Sequence, residues 1–314
     1  MTRHEIRRRL AGSALLSLAA AAPGQAATLT GFTLAGGGST LIRFDPADPG
    51  STNAVILFGA GAPNLSAIDV RPATGDLIGY DAQLEAYFIV NPKNGRLTRI
   101  DNGSVSPSSG SSVDIDWNPT IDRQRTVSSA GENIVFNPVT GGAVRAVDLF
   151  YVAGDPNASA DPFVVGNAYT NSFAANFGGT TIQYVLDART NALATLANNL
   201  GELRTVASLT IDGAPFTLGE NAGFDIVFDQ ATGMNVAYVL ASVDGLADLF
   251  TLDLATGVLS SVPGTFDVGL GRLSGLAFGI VDAIPLPAAA PLFLGGLAAA
   301  GLWLRNRKRQ LVNK

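Results

Sequence analysis

The chain has 314 residues, 47% hydrophobic and 15% charged, which excludes intrinsic disorder and leaves ample apolar matter for a buried core. There is no cysteine and the only histidine is His4, so disulfides, thiolate or imidazole metal sites, Ser-His-Asp and Cys-His systems and histidine acid–base catalysis are excluded from residues 27–282. The net charge of −6 conceals basic ends: without the four Arg and one Glu of the first 26 residues and the three Arg and two Lys of the last ten, 11 basic residues face 25 acidic ones, a balance of −14 that argues against nucleic acid as a partner and for solubility after export.

In chain order, Arg3, Arg7, Arg8 and Arg9 precede an apolar run from Leu10 to Ala22, followed by Pro23-Gly24-Gln25-Ala26. A basic start, a short apolar stretch and small residues before a cut predict a secretory signal over 1–26, cleaved after Ala26 by the export machinery. The run is short for a membrane span. Arg7-Arg8-Arg9 alone does not complete a twin-arginine motif, which favours the general secretory route.

Strands are then predicted at Thr28–Phe32, at Thr40–Phe44 and near Ala54–Phe58. Gly36-Gly37-Gly38 between the first two reads as a hairpin, since no Lys-Ser/Thr follows to make it a phosphate loop. A turn motif recurs from there on: an apolar residue, Asp or Asn, often Pro, then Thr or Asn before Gly. It occurs at Phe44-Asp45-Pro46, Val70–Gly75, Val90–Gly95, Phe136–Gly141, Phe228–Gly233 and Leu252–Gly257, with degenerate copies at Trp117-Asn118-Pro119 and Leu186–Asn191. Pro presets φ, the Asp or Asn side chain bonds the backbone ahead, and Gly or Asn takes the left-handed conformation that starts the next strand. Flanking segments such as Leu84–Val90 and Ala247–Asp253 read as strands.

A second pattern repeats at about 50-residue spacing, an apolar strand that often carries Asp: Leu65–Val70, Val113–Trp117, Gly166–Thr170, Ala222–Val227 and Leu273–Gly279. With some four strands per unit, this predicts an all-β chain folded as a β-propeller, these five segments being its innermost strands. The last has no hairpin after it, whereas the N-terminal strands lack an inner one, so the two ends are expected to complete one blade together. Five blades are predicted. Six are an alternative, because Asp148–Leu209 is long and weakly patterned.

Beyond the domain at 27–282, Ile284-Pro285-Leu286-Pro287-Ala288 opens an apolar stretch to Leu304, followed by Arg305-Asn306-Arg307-Lys308-Arg309. This predicts a single transmembrane helix at about 288–304 within a terminal segment 283–314. The order of Pro-containing motif, apolar helix and basic end resembles the PEP-CTERM class of sorting signals in its Val-Pro-Leu-Pro-Ala variant, with Ile284 in place of Val. The resemblance implies an exosortase-like membrane protease as partner. It also implies an inner-membrane-anchored precursor, a final place on the surface or in the matrix of a Gram-negative bacterium, and an association with extracellular polysaccharide.

Several segments together resemble a bacterial family, domain of unknown function 4394: Ile68–Gly75, Trp117–Val127, Gly131–Pro138, Ala168–Asn171 and Gly223–Ile226. The resemblance implies a propeller and carries no assigned activity. Ile78-Gly79-Tyr80 departs from the Leu-Tyr-Gly-like strand usual there.

Carboxylates, Tyr and Lys93 are the acid–base groups left. Asp69, Asp114, Asp116 and Asp225 lie on or beside inner strands and could converge on a central channel, as a glycan hydrolase or lyase pair or around Ca²⁺. Their recurrence at equivalent positions favours structural bonds to neighbouring backbone over either role. Asp155, Asn157 and Asp161 offer oxygen ligands for Ca²⁺ without the spacing of an EF-hand. Arg123 and Arg125 alternate beside Asp122, as for an ion pair or an anionic ligand. The reading favoured is a non-catalytic module binding extracellular glycan or protein, with no obligate cofactor. Alternatives are a carboxylate-dependent glycan hydrolase or lyase and a Ca²⁺-stabilised scaffold.

Overall fold

Alternating apolar residues and turns every few residues build short antiparallel strands, which the computed structural model describes for residues 28–59, 64–102, 111–243, 245–266 and 268–281. They form one unit, Leu29–Val281. The expected signal and the sorting segment lie outside the described residues. Among the described residues no helix is long and apolar enough to cross a membrane.

Blade 1 opens with β1 (Thr28–Ala35), β2 (Thr40–Asp45) and β3 (Asp48–Ile56). Blade 2 is β4 (Ala67–Val70), β5 (Leu77–Asp81), β6 (Ala86–Val90) and β7 (Leu97–Arg99). Blade 3 is β8 (Val113–Asn118), β9 (Arg123–Ser128), β10 (Asn133–Asn137) and β11 (Gly142–Arg145). Blade 4 has five strands: β12 (Phe150–Tyr151), β13 (Val164–Tyr169), β14 (Gln183–Asp187), β15 (Ala192–Leu196) and β16 (Glu202–Ser208). Blade 5 holds β17 (Thr210–Ile211), β18 (Ala214–Pro215), β19 (Gly223–Asp229), β20 (Met234–Val243), β21 (Leu246–Leu252) and β22 (Val258–Ser261). The final strand, β23 (Ser274–Val281), returns to blade 1 and orders it β23-β1-β2-β3.

The five inner strands neighbour one another as β4, β8, β13, β19, β23 and back to β4, so the ring closes. This is the five-bladed all-β propeller expected, sealed by both chain ends. The six-bladed alternative is corrected. Asp148–Leu209 makes one blade, lengthened by the loop before β13, by the loop between β13 and β14, and by β12, which pairs parallel to β16 at the rim. The strand predicted from Leu84 starts at Ala86, because Glu85 sits at φ 51° in the turn.

The turn motif behaves as its chemistry dictates. Asn91, Asn137, Asp187, Asp229 and Asp253 each accept the backbone N–H two residues on through Oδ1, at 2.8–3.0 Å. The glycines do more than turn. The strand leaving one blade donates an N–H to the glycine carbonyl in the last turn of the next: Phe58 to Gly95 (3.0 Å), Asn102 to Gly141 (2.8 Å), Phe150 to Gly201 (2.9 Å) and Thr210 to Gly257 (3.1 Å). A Cβ at Gly95 would lie 2.0 Å from the Ile56 carbonyl oxygen, so the position needs glycine for close approach as well as for its φ of 78°.

The core lies between blades. Phe32, Leu34, Leu41, Ile68, Leu77 and Phe88 fill the gap between blades 1 and 2. Tyr80, Tyr87, Ile115, Trp117 and Phe136 fill the next, with Tyr87 and Phe136 stacked at 4.2 Å. Each such side chain contributes about 1.5–3 kcal/mol by leaving water.

Candidate functional site

Inner strands place alternate side chains toward the axis, and each of the four aspartates singled out from the sequence is buried there. Every one accepts backbone N–H groups. Asp69 Oδ1 takes Val70 N–H at 2.6 Å and Oδ2 takes Trp117 N–H at 3.1 Å. Asp116 takes the same Trp117 N–H through Oδ1 and Tyr169 N–H through Oδ2 at 2.7 Å. Asp114 Oδ2 takes Asn167 N–H at 2.8 Å, and Asp225 Oδ2 takes Phe278 N–H at 2.7 Å. Four of these bonds reach the inner strand of the next blade: β4 to β8, β8 twice to β13, and β19 to β23. The recurrence of Asp in the sequence is therefore a recurrence of staples between blades.

Burial pushes the carboxyl groups of Asp69, Asp114 and Asp116 well above the usual range, and like charge adds to it, from Asp116 and Asp225 on Asp69 and from Asp225 on Asp116. Burial likewise pushes Asp225 up to about 7. Asp114 Oδ1 is buried without a hydrogen-bond partner. Among the described residues no group of three or more His, Cys, Asp or Glu side chains is placed to hold a metal ion.

The loop residues considered for Ca²⁺ separate. Asp155 accepts Asn157 N–H (2.9 Å), Thr205 N–H (2.7 Å) and the Thr205 hydroxyl (2.6 Å), tying the loop to β16. Asn157 Nδ2 donates to Thr205 Oγ1 at 2.9 Å. Asp161 is fully exposed, 3.9 Å from Arg189. The arginine pair also divides. Arg123 Nη1 donates to the carbonyls of Ile121 and Asp122, while buried Arg125 donates to Asn133 Oδ1 (2.7 Å), Asn199 Oδ1 (2.8 Å) and the Tyr169 hydroxyl (3.4 Å). Asp122 pairs instead with Arg71 of blade 2, whose guanidinium lies 5.2 Å from the Trp117 ring centroid.

No pattern along the chain points to the groove between blades 4 and 5, about 370 Å³, lined by Thr170, Asn171, Thr180, Thr181, Ile182, Tyr184, Asn235 and Leu254. Asn171 and Asn235 shape it by bonding reciprocally, Asn171 N–H to Asn235 Oδ1 at 2.7 Å and Asn235 Nδ2 to Asn171 Oδ1 at 3.0 Å. These residues are 64 positions apart and share no motif. Its lining combines hydroxyls, amides and one phenol with two aliphatic side chains.

Fold and channel together define a five-bladed β-propeller whose inner strands are pinned by buried aspartates. The chain belongs to the family described as domain of unknown function (DUF4394), which it matches over residues 40–277. No curated protein matches the sequence. Among solved structures, the chain is similar to one in a nidogen/laminin complex, at 12% identity over 82% of this chain and 100% of that one, TM-score 0.47. It is also similar to an auxiliary nutrient binding protein from Bacteroides ovatus ATCC 8483, at 16% identity over 66% of this chain and 55% of that one, TM-score 0.41. A third is a gluconolactonase from Xanthomonas campestris, at 14% identity over 77% and 78%, TM-score 0.40.

Proposed function

We propose that this protein is an exported, surface- or matrix-associated module that binds extracellular glycan without cleaving it, the groove between blades 4 and 5 being the binding site. The observation that carries this reading is the contrast between the two polar regions. The channel carboxylates are buried and bonded to backbone amides, whereas the Asn171–Asn235 groove is open and lined by uncharged donors and acceptors. A glycosidase pair needs two carboxyl groups flanking space for a sugar, one free to give a proton. The Pro-containing segment at Ile284–Ala288 and the basic start of the chain support export, sorting by an exosortase-like protease and a place beside secreted polysaccharide.

The test is titration of the full chain with exopolysaccharide from the producing organism, read by calorimetry and by the length of the recovered polymer. Saturable binding with the polymer intact, weakened by Asn235→Ala, is the expected result. Shortened polymer would establish a hydrolase or lyase instead. Absence of binding, or binding unaffected by Asn235→Ala, would overturn the assignment of the groove.

A further inference from the structure

One N–H group, that of Trp117, serves two carboxyl oxygens: Asp69 Oδ2 on β4 and Asp116 Oδ1 on β8. Two oxygens converging on one hydrogen lie close together, and both side chains are at least 96% buried. Two full negative charges so placed repel in a region of low dielectric, and the arrangement is satisfied when one oxygen carries a proton and gives it to the other. We propose that Asp69 and Asp116 hold a single proton between them at neutral pH, and that this proton closes the ring between blades 2 and 3, so that alkali loosens the propeller.

The surroundings favour keeping the proton. Any negative charge on Asp225 of β19 or Asp114 of β8 opposes ionisation of the pair. On β13 the Tyr169 hydroxyl is turned to Gln183, Asn198 and Arg125, and on β9 the Arg125 guanidinium is taken up by Asn133, Asn199 and Tyr169. On β5, Asp81 is bonded to the amides of Asn64, Gln83 and Leu84, and the Tyr80 hydroxyl is buried without a partner. β23 carries no titratable side chain. Loss of the shared proton would leave two anions competing for one amide across a blade boundary.

The experiment is denaturant unfolding of the full chain from about pH 5 to about pH 9, where each proton held only by the folded state changes the folding equilibrium up to about tenfold per pH unit. Wild type should lose stability as pH rises. Asp69→Asn, whose amide is a permanent donor to Asp116, should flatten that slope by one proton, while Asp161→Asn on the solvent side should leave it unchanged. Infrared difference spectroscopy between wild type and Asp69→Asn adds a second reading: a protonated-carboxyl band at neutral pH that the variant lacks and that disappears as the wild-type midpoint falls. An equal slope in Asp69→Asn, or no such band, would overturn the proposal. Calcium that restored the acid-side stability at alkaline pH would also overturn it, by showing a cation site in place of a shared proton.

Discussion

Asp225 on β19 accepts the Phe278 N–H of β23 at 2.7 Å, the bond that joins blade 5 to the strand with which the chain returns to blade 1. Replacing Asp225 with Ala leaves that buried N–H without an acceptor and should cost about 1–3 kcal/mol, measurable as a lower urea midpoint. Asp225→Asn keeps an oxygen there and should cost less. Because burial raises the folded carboxyl to about 7, against about 3.9 in an unfolded chain, its contribution is complete in acid and is lost as pH rises toward 7. The Asn variant should lack that part of the pH dependence.

The turn glycines separate two requirements. Gly233 and Gly257 both have φ near +70°, but a Cβ at Gly233 meets nothing, whereas one at Gly257 would lie 2.5 Å from the Ser208 carbonyl oxygen. Gly233→Ala should cost only the left-handed penalty, about 1–2 kcal/mol. Gly257→Ala should cost more, because it also pushes blade 4 away from blade 5. Thermal unfolding of the two variants side by side checks the difference.

Arg71 and Asp122 join blades 2 and 3 by a two-pronged ion pair, Nε to Oδ1 at 2.7 Å and Nη2 to Oδ2, under partial cover. Arg71→Ala loses the pair and the contact with Trp117, with an expected cost of about 1–2 kcal/mol. Arg71→Lys keeps the charge but not the fork and should recover only part of it. A double-mutant cycle with Asp122→Asn measures the coupling.

Asp155 should act as a tether for its loop and not as a metal ligand. Asp155→Ala removes three acceptor bonds, so limited proteolysis should cut the loop between β12 and β13 faster while the melting temperature falls modestly. Neither chelator nor millimolar Ca²⁺ should change the wild-type melting temperature. A Ca²⁺-dependent rise would restore Asp155 as a ligand.

Much of the fold was legible because its determinants are local. Asn91-Pro92 ahead of Gly95, or Asp253 ahead of Gly257, specifies a turn by its own side-chain bond and its own φ, whatever surrounds it. The repeated inner strands and the unmatched strands at each end likewise showed the ring and its closure. The blade at Asp148–Leu209 was harder to read. Its loops are long, its Asp187 turn lies between the second and third strands, at the opposite end of the blade from the other copies, and its extra strand β12 has two residues.

By itself the sequence determined the β-propeller, the absence of Cys and His chemistry, and the four aspartates as the residues to watch, since composition and local periodicity need no partner. What those aspartates do was decided only in three dimensions. Asp116 meets an amide 53 residues away and shares another with Asp69, 47 positions earlier in the chain. A carboxyl group whose repetition along the chain favours a tether over an acid or a ligand becomes one when ring closure brings the next strand's N–H groups to it. The Asn171–Asn235 groove has the same origin. It exists because two blades meet, and no stretch of either blade encodes it alone.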